Sequence, residues 1–184
     1  MNRPARILLV SGSLRHGSTN SALVQTAHAV APAGVVTTIY GGLGSLPHFN
    51  PDDDVDGEPL APAPADLRAR LDDADAILFC TPEYAGALPG TFKNLLDWTV
   101  GGPEMYEKPV AWVNAAGSPT RGSKAHESLE TVLRTIHAEI VPAACTHVAV
   151  PRDRVGADGG VDDPEIRGRM GEVLRVLARH VAAR

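Results

Sequence analysis

Residues 7–20 read Ile7-Leu8-Leu9-Val10-Ser11-Gly12-Ser13-Leu14-Arg15-His16-Gly17-Ser18-Thr19-Asn20. Four apolar residues stand in a row with no polar residue between them. A strand exposed on one face would alternate, so this one is buried on both faces, as in a parallel sheet. Ser11, Gly12 and Ser13 end the strand, and a helix from about residue 20 to residue 30 follows, stopped by Pro32 and Gly34. The unit is strand, small-residue loop, helix.

The same unit recurs along the chain. A β-branched second strand is predicted over residues 35–40, and a Pro/Gly/Asp-rich connection over 41–65. A connection of that length is expected to be functional or mobile. Asp66 is expected to cap a short helix with Leu67 and Leu71 on one face. A third strand spans 76–80, and Pro82 breaks it. A helix over about 90–100 is stopped by Gly101, Gly102 and Pro103. The fourth strand is 109–114, followed by a small-residue loop over 115–123. A helix over 124–138 turns Leu129, Val132, Leu133 and Ile136 inward, and the fifth strand is 145–150. The last helix, over about 164–182, carries Ile166, Met170, Val173, Leu174 and Leu177 at helical spacing. Strict alternation predicts an α/β fold, a doubly wound five-stranded parallel sheet with helices on both faces. There are no repeats and no linker, so one domain over residues 1–184 is expected. Ligands of such sheets bind beyond the carboxyl ends of the strands, which directs attention to the loops after strands one, three and four.

Composition narrows the classes. A net charge of −5 gives no basic footprint, which argues against nucleic acid. Two cysteines, Cys80 and Cys145, make no disulfide framework and suit a reducing compartment. No apolar run approaches the ~20 residues that span a bilayer. A cytoplasmic protein without membrane or nucleic-acid partners is expected.

The first loop offers hydroxyls, two glycines, Arg15 and the amino end of a helix, which together suit an anion. Gly12 and Gly17 have the spacing of a triphosphate loop, but Ser18 stands where lysine is required. The GxGxxG of a dinucleotide site is missing, and the second strand ends in Tyr40-Gly41 rather than in an acidic residue. No nucleophilic cysteine is present in the loop. A hydroxyl-rich cradle with Arg15 matches a terminal phosphate monoester, such as the one FMN carries. The plainer reading is a strand-to-helix turn in which Ser18 or Thr19 only caps the helix. His16 reads as a solvated loop residue.

The third loop runs Thr81-Pro82-Glu83-Tyr84-Ala85-Gly86-Ala87-Leu88-Pro89-Gly90 into Thr91-Phe92-Lys93-Asn94-Leu95-Leu96-Asp97-Trp98. Two prolines and two glycines fix its shape, so its backbone groups can face a ligand at low entropic cost. Tyr84 adds a flat apolar surface with a polar tip. Together with the first loop, this string resembles the NADPH-dependent FMN reductase family, which includes bacterial quinone, chromate and azo-dye reductases. The resemblance implies a flavodoxin-like fold and FMN, its phosphate on Ser13, Arg15, Ser18, Thr19 and Asn20. The ring edge would lie on Pro82, Glu83, Tyr84, Ala85 and Gly86. It implies NADPH or NADH as electron donor, and a homodimer or a tetramer, with Lys93, Asn94 and Trp98 near the interface. Relatives often carry asparagine where this chain has Ala85. Leu95 and Leu96 read as core. In the loop after strand four, Gly117 and Ser118 are the expected flavin contacts, while Arg121 stays open between a nicotinamide-nucleotide phosphate and solvent. Leu88, Pro89 and Phe92 would be costly to expose together, which also points to a dimer.

Asp52-Asp53-Asp54-Val55-Asp56-Gly57 opens like a calcium loop, but Ala63 takes the place of the twelfth-position glutamate. Pro59, Pro62 and Pro64 are expected to deny flanking helices, leaving a solvated surface loop without metal. The histidines show no metal spacing, and no GxSxG elbow is present. The expected function is an NAD(P)H-dependent, FMN-containing oxidoreductase that reduces a quinone, free flavin, azo compound or metal oxyanion by a ping-pong mechanism, with no side-chain acid or base assigned. The alternative is an FMN-binding electron carrier or sensor without NAD(P)H turnover, and behind it a non-flavin phosphosugar or nucleoside protein.

Overall fold

The computed structural model describes residues 3–184. Strand β1 (Ala5–Ser11) pairs in parallel with β2 (Val35–Tyr40) on one side and β3 (Ala76–Cys80) on the other. Strands β4 (Pro109–Asn114) and β5 (Glu139–Ile140) continue the sheet, giving the order β2-β1-β3-β4-β5, which is that of a flavodoxin-like doubly wound sheet. Helices α1 (Thr19–Ala29) and α5 (Pro164–Ala182) cover one face, and α2 (Pro62–Asp73), α3 (Gly90–Asp97) and α4 (Ser123–Thr135) the other.

Successive strand side chains point to opposite faces, and β1 supplies both cores accordingly. Ile7 and Leu9 pack with Leu23 of α1 and with Leu174 and Leu177 of α5. Leu8 and Val10 pack with Leu67 of α2, Phe92 of α3 and Leu129 of α4. Strand β3 divides in the same way, with Leu78 toward the first core and Ile77 and Phe79 toward the second. Burying one such Leu, Ile or Phe contributes roughly 1.5–3 kcal/mol. The two cores therefore lock the central strands, and their loops open at one shared edge.

Three expectations need correction. The fifth strand is not one run over 145–150. It is split into β5 (Glu139–Ile140), beside the start of β4, and β6 (Thr146–His147), beside its end. Pro142 lacks an N–H for the ladder and opens a 3-10 turn over Pro142–Ala144 between them. Asp66 caps nothing. Helix α2 starts earlier, at Pro62, with Ala61 at its N-cap, and Asp66 pairs with Arg70 one turn on. Pro62 and Pro64 occupy the first turn, where a missing N–H costs nothing, so they begin a helix rather than deny one.

The third correction concerns the connection before α2, which is neither loose nor fully solvated. Asp54 Oδ2 accepts from Arg68 Nη2 at 2.6 Å, with side-chain exposures of 8% and 12%. Arg68 Nε also donates to the Trp98 carbonyl. Trp98 Nε1 and Asn94 Nδ2 both donate to the Pro47 carbonyl, and Asn94 Oδ1 accepts from Phe49 N–H. A Cβ on Gly101 would fall on the Asp54 carboxylate, so glycine admits this close approach. Asn94 and Trp98, which the resemblance placed near an interface, thus hold this chain's own connection. Leu88, Pro89 and Phe92 are also buried within the chain, which removes the apolar argument for a dimer.

Candidate functional site

A cleft of about 680 Å3 opens at the carboxyl ends of β1, β3 and β4, at the switch in strand order. Its volume lies within the range of small-molecule sites. Four segments wall it, each delivered by a strand end.

The first wall is the loop after β1. Gly12 is needed because a Cβ there would fall on the Thr81 hydroxyl, and Gly12 N–H donates to the Cys80 carbonyl across the strands. Ser18 caps α1, its Oγ accepting from Asn20 N–H at 3.2 Å. Ser13 Oγ accepts from Arg15 N–H, and Asn20 Oδ1 accepts from the Cys80 thiol at 3.4 Å. Ser13, Ser18 and Asn20 are 9%, 6% and 7% exposed and all line the cleft. In each, an acceptor oxygen is engaged by a donor of the chain itself. The O–H of both serines and the Nδ2 amide of Asn20 are left free to donate. Thr19 N–H, at the first position of α1, has no intrahelical acceptor either. Arg15 also lines the cleft. This wall presents donors at a helix N-terminus, which is what an anion binds.

The second wall follows β3. Thr81, Pro82, Glu83 and half-exposed Tyr84 line the cleft. Tyr84 and Ala87 exchange both backbone hydrogen bonds at 3.1 Å around Ala85 and Gly86, whose φ values are 52° and 74°. That is a two-residue hairpin turn needing positive φ at both positions, where asparagine and glycine are favoured. Ala85 and Gly86 form its tip and stand outside the cleft walls. Glu83 is the one carboxylate lining the cleft. Its Oε2 accepts from Lys124 N–H in the first turn of α4, so it ties this loop to the next one.

The third wall is the loop after β4. Ala115, Ala116, Gly117, Arg121 and Gly122 line the cleft, whereas the Ser118 hydroxyl pairs with Thr120. Three side chains hold this loop, one of them, Asn114, itself lining the cleft. Asn114 accepts from Ala116 N–H and donates to the Arg121 carbonyl, His147 Nε2 donates to the Ala116 carbonyl at 2.6 Å, and His126 Nδ1 donates to the Gly122 carbonyl at 2.7 Å. Donation through Nδ1 fixes the neutral His126 tautomer, and burial holds its imidazole below the usual histidine range. Gly122 has φ 84° and caps α4, a conformation glycine adopts without strain.

The fourth wall was not anticipated. Val148 N–H and Val150 N–H donate to the Asn114 and Ala115 carbonyls, which extends the β6 pairing and carries Val150, Pro151 and Arg152 to the cleft. The rule of carboxyl strand ends applies equally to the fifth strand, and following it there would have found them.

Of the residues singled out in sequence, Ser13, Arg15, Ser18, Thr19, Asn20, Pro82, Glu83, Tyr84 and Gly117 come together in this cleft. Ala85, Gly86 and Ser118 border it from outside. Cys80 lies beneath it, its thiol pushed up by burial and unsuited to act as a nucleophile. Among the described residues no group of histidine, cysteine and carboxylate side chains could hold a metal ion, and no helix is long and apolar enough to cross a membrane.

The comparisons agree with this geometry. A probable NADPH:quinone oxidoreductase of Oryza sativa is 30% identical over 94% of this chain and 86% of its own length. An NAD(P)H-dependent FMN reductase of Pseudomonas aeruginosa is 30% identical over 96% of this chain and 95% of its own. Among solved structures, the flavoenzyme NAD(P)H:(acceptor) oxidoreductase FerB of Paracoccus denitrificans shares the fold, with a TM-score of 0.79, 24% identity, and coverage of 96% of this chain and 98% of that one. A WrbA-like flavodoxin from Agrobacterium tumefaciens shares it at a TM-score of 0.61, 18% identity, and coverage of 96% and 98%. Residues 5–151, which carry the first three walls of the cleft, match the model of the NADPH-dependent FMN reductases, and the chain belongs to that family of FMN- and NAD(P)H-dependent enzymes.

Proposed function

We propose that the cleft seats FMN, with its phosphate in the loop after β1 and its ring edge beside residues 82–86, and that the enzyme reduces a small acceptor with NAD(P)H. The acceptor class is a quinone, free flavin, azo compound or metal oxyanion. One observation carries this reading. Ser13, Ser18 and Asn20 are buried at the cleft wall with acceptors engaged and donors left over, beside Arg15 and the α1 N-terminus. Such a set fits a phosphate monoester and does not fit a cation or a neutral apolar ligand.

Bound there, FMN would supply the redox chemistry that couples oxidation of NAD(P)H to reduction of the acceptor. The residues supply the rest. Arg15, the two serine hydroxyls, Asn20 Nδ2 and Thr19 N–H hold the phosphate. Pro82, Glu83 and Tyr84 form a stiff wall for the ring, and Ala85 and Gly86 set its turn. Gly117 keeps the opposite side open, since nothing lies within 4 Å of a Cβ placed on it. Ser118 borders the same loop. With one open side, donor and acceptor use it in turn, which is a ping-pong pattern. We further infer one domain over residues 1–184, a cytoplasmic location and a homodimer, the last on the family resemblance alone.

The test has two stages. Purified protein titrated with FMN should load stoichiometrically, checked by mass spectrometry, and anaerobic NAD(P)H should then bleach the flavin absorbance. Gly117→Val fills open space without striking the fold, so it should slow reduction by NAD(P)H and reoxidation by quinone together. Flavin that loads but bleaches only with a chemical reductant would replace the enzyme by a carrier. Failure to load FMN at micromolar concentration would end the reading.

A further inference from the structure

Three arginines line the cleft, Arg15, Arg121 and Arg152, and among the described residues none of them makes a side-chain hydrogen bond or ion pair. Arg154 and Arg167 share that lack but stand outside the cleft. The cleft's one carboxylate, Glu83, is engaged by Lys124 N–H. A chain of net charge −5 thus concentrates positive charge at this one opening.

A single phosphate monoester accounts for Arg15, which shares its loop with the donors of the first wall. It does not account for Arg121, on the loop after β4, or Arg152, beyond β6. Arg152 lies one residue past the segment that matches the family model. Pairing along β4 places it there, through the Val148 and Val150 hydrogen bonds to Asn114 and Ala115.

We propose that Arg121 and Arg152 form a second anion subsite that reads a phosphate group of the dinucleotide donor. This rests on the reading of the cleft as an FMN site. Guanidinium forks suit phosphate oxygens, and loops held by Asn114, His126 and His147 keep Arg121 placed. The chemistry belongs either to the 2′-phosphate, found only on NADPH, or to the pyrophosphate common to both donors.

The experiment uses FMN-loaded protein and non-reducing fragments, read by calorimetry. 2′,5′-ADP carries the 2′-phosphate, ADP carries only the diphosphate, and adenosine carries neither. Arg121→Ala and Arg152→Ala should each weaken 2′,5′-ADP or ADP about tenfold, the low end for a charge-assisted hydrogen bond because both guanidiniums face water. Adenosine binding and FMN affinity should not change, and added salt should shrink the difference. Loss confined to 2′,5′-ADP assigns the 2′-phosphate, and equal loss for ADP assigns the pyrophosphate. Equal loss for adenosine, or no loss for any fragment, overturns the proposal. So does Arg152→Ala if it weakens FMN as Arg15→Ala does, since Arg152 would then belong to the cofactor's phosphate. Wild-type protein that takes up no FMN would bring down the underlying reading with it, an outcome visible before any variant is made.

Discussion

Residues 12–18 and residues 41–61 are both irregular, glycine-containing and rich in polar side chains, yet they do opposite things with those side chains. The second segment closes Asp54 and several backbone groups on the rest of the chain. Asp54 is paired with Arg68, the Pro47 carbonyl takes donors from both Asn94 and Trp98, and Phe49 N–H finds Asn94. The first segment, with Asn20 just after it, engages a side-chain oxygen of Ser13, Ser18 and Asn20 within the chain and leaves their hydroxyl and amide donors, beside Arg15, at an open cleft. A loop whose hydrogen bonds close on the chain is a strap. A loop that satisfies one half of its bonding capacity and leaves the other is a receptor for whatever supplies the missing half.

This contrast can be broken most sharply at the strap. Asp54→Ala leaves Arg68 buried without its partner, and stability should fall by about 3–5 kcal/mol in urea unfolding. FMN affinity of the folded protein should hold. If affinity drops along with stability, the two segments are not separable. Next in size is Arg15→Ala, which should weaken FMN by about 10- to 150-fold, or roughly 1.5–3 kcal/mol, while the unfolding midpoint of the flavin-free protein stays in place. Riboflavin has no phosphate and should bind wild type and variant alike. An equal loss for riboflavin would show that Arg15 is part of the loop's own structure. The smallest effect is expected at the hairpin tip. Ala85 holds a left-handed conformation at φ 52°, and Ala85→Asn should raise thermal stability by about 1 kcal/mol. Asparagine in relatives then has a backbone reason, independent of any contact with the ring.

The contrast also explains what was legible in the sequence. The buried runs 7–10 and 76–80 declared the sheet because each is apolar on both faces, and the last helix was found at Pro164–Ala182 because its apolar spacing is regular. The first wall of the cleft was readable because hydroxyls, Arg15 and a helix start are adjacent in sequence. The Asp54–Arg68 pair was not, since its two charges stand on separate elements and an aspartate run looks solvated until a partner is seen. Pro62 was misread because proline ends a helix interior yet suits a first turn, and only the register of the helix tells the two apart. Asn114, His126 and His147 were missed for a related reason. They act on backbone carbonyls and an amide, which carry no signature in the sequence.

The interruption at Pro142 has a consequence for how this chain meets other chains. A sheet with two bare edges can recruit strands from a neighbour on either side. Here β2 offers a six-residue edge, but the opposite edge is two pieces of two residues with a 3-10 turn between them. A strand arriving beside β5 runs out of partners before it can register. Intermolecular sheet growth is therefore blocked on the α4 side, and a second copy must dock there through helices and loops. A change that straightened residues 139–147 would extend the ladder along β4, and it would also give the molecule a second edge along which to aggregate.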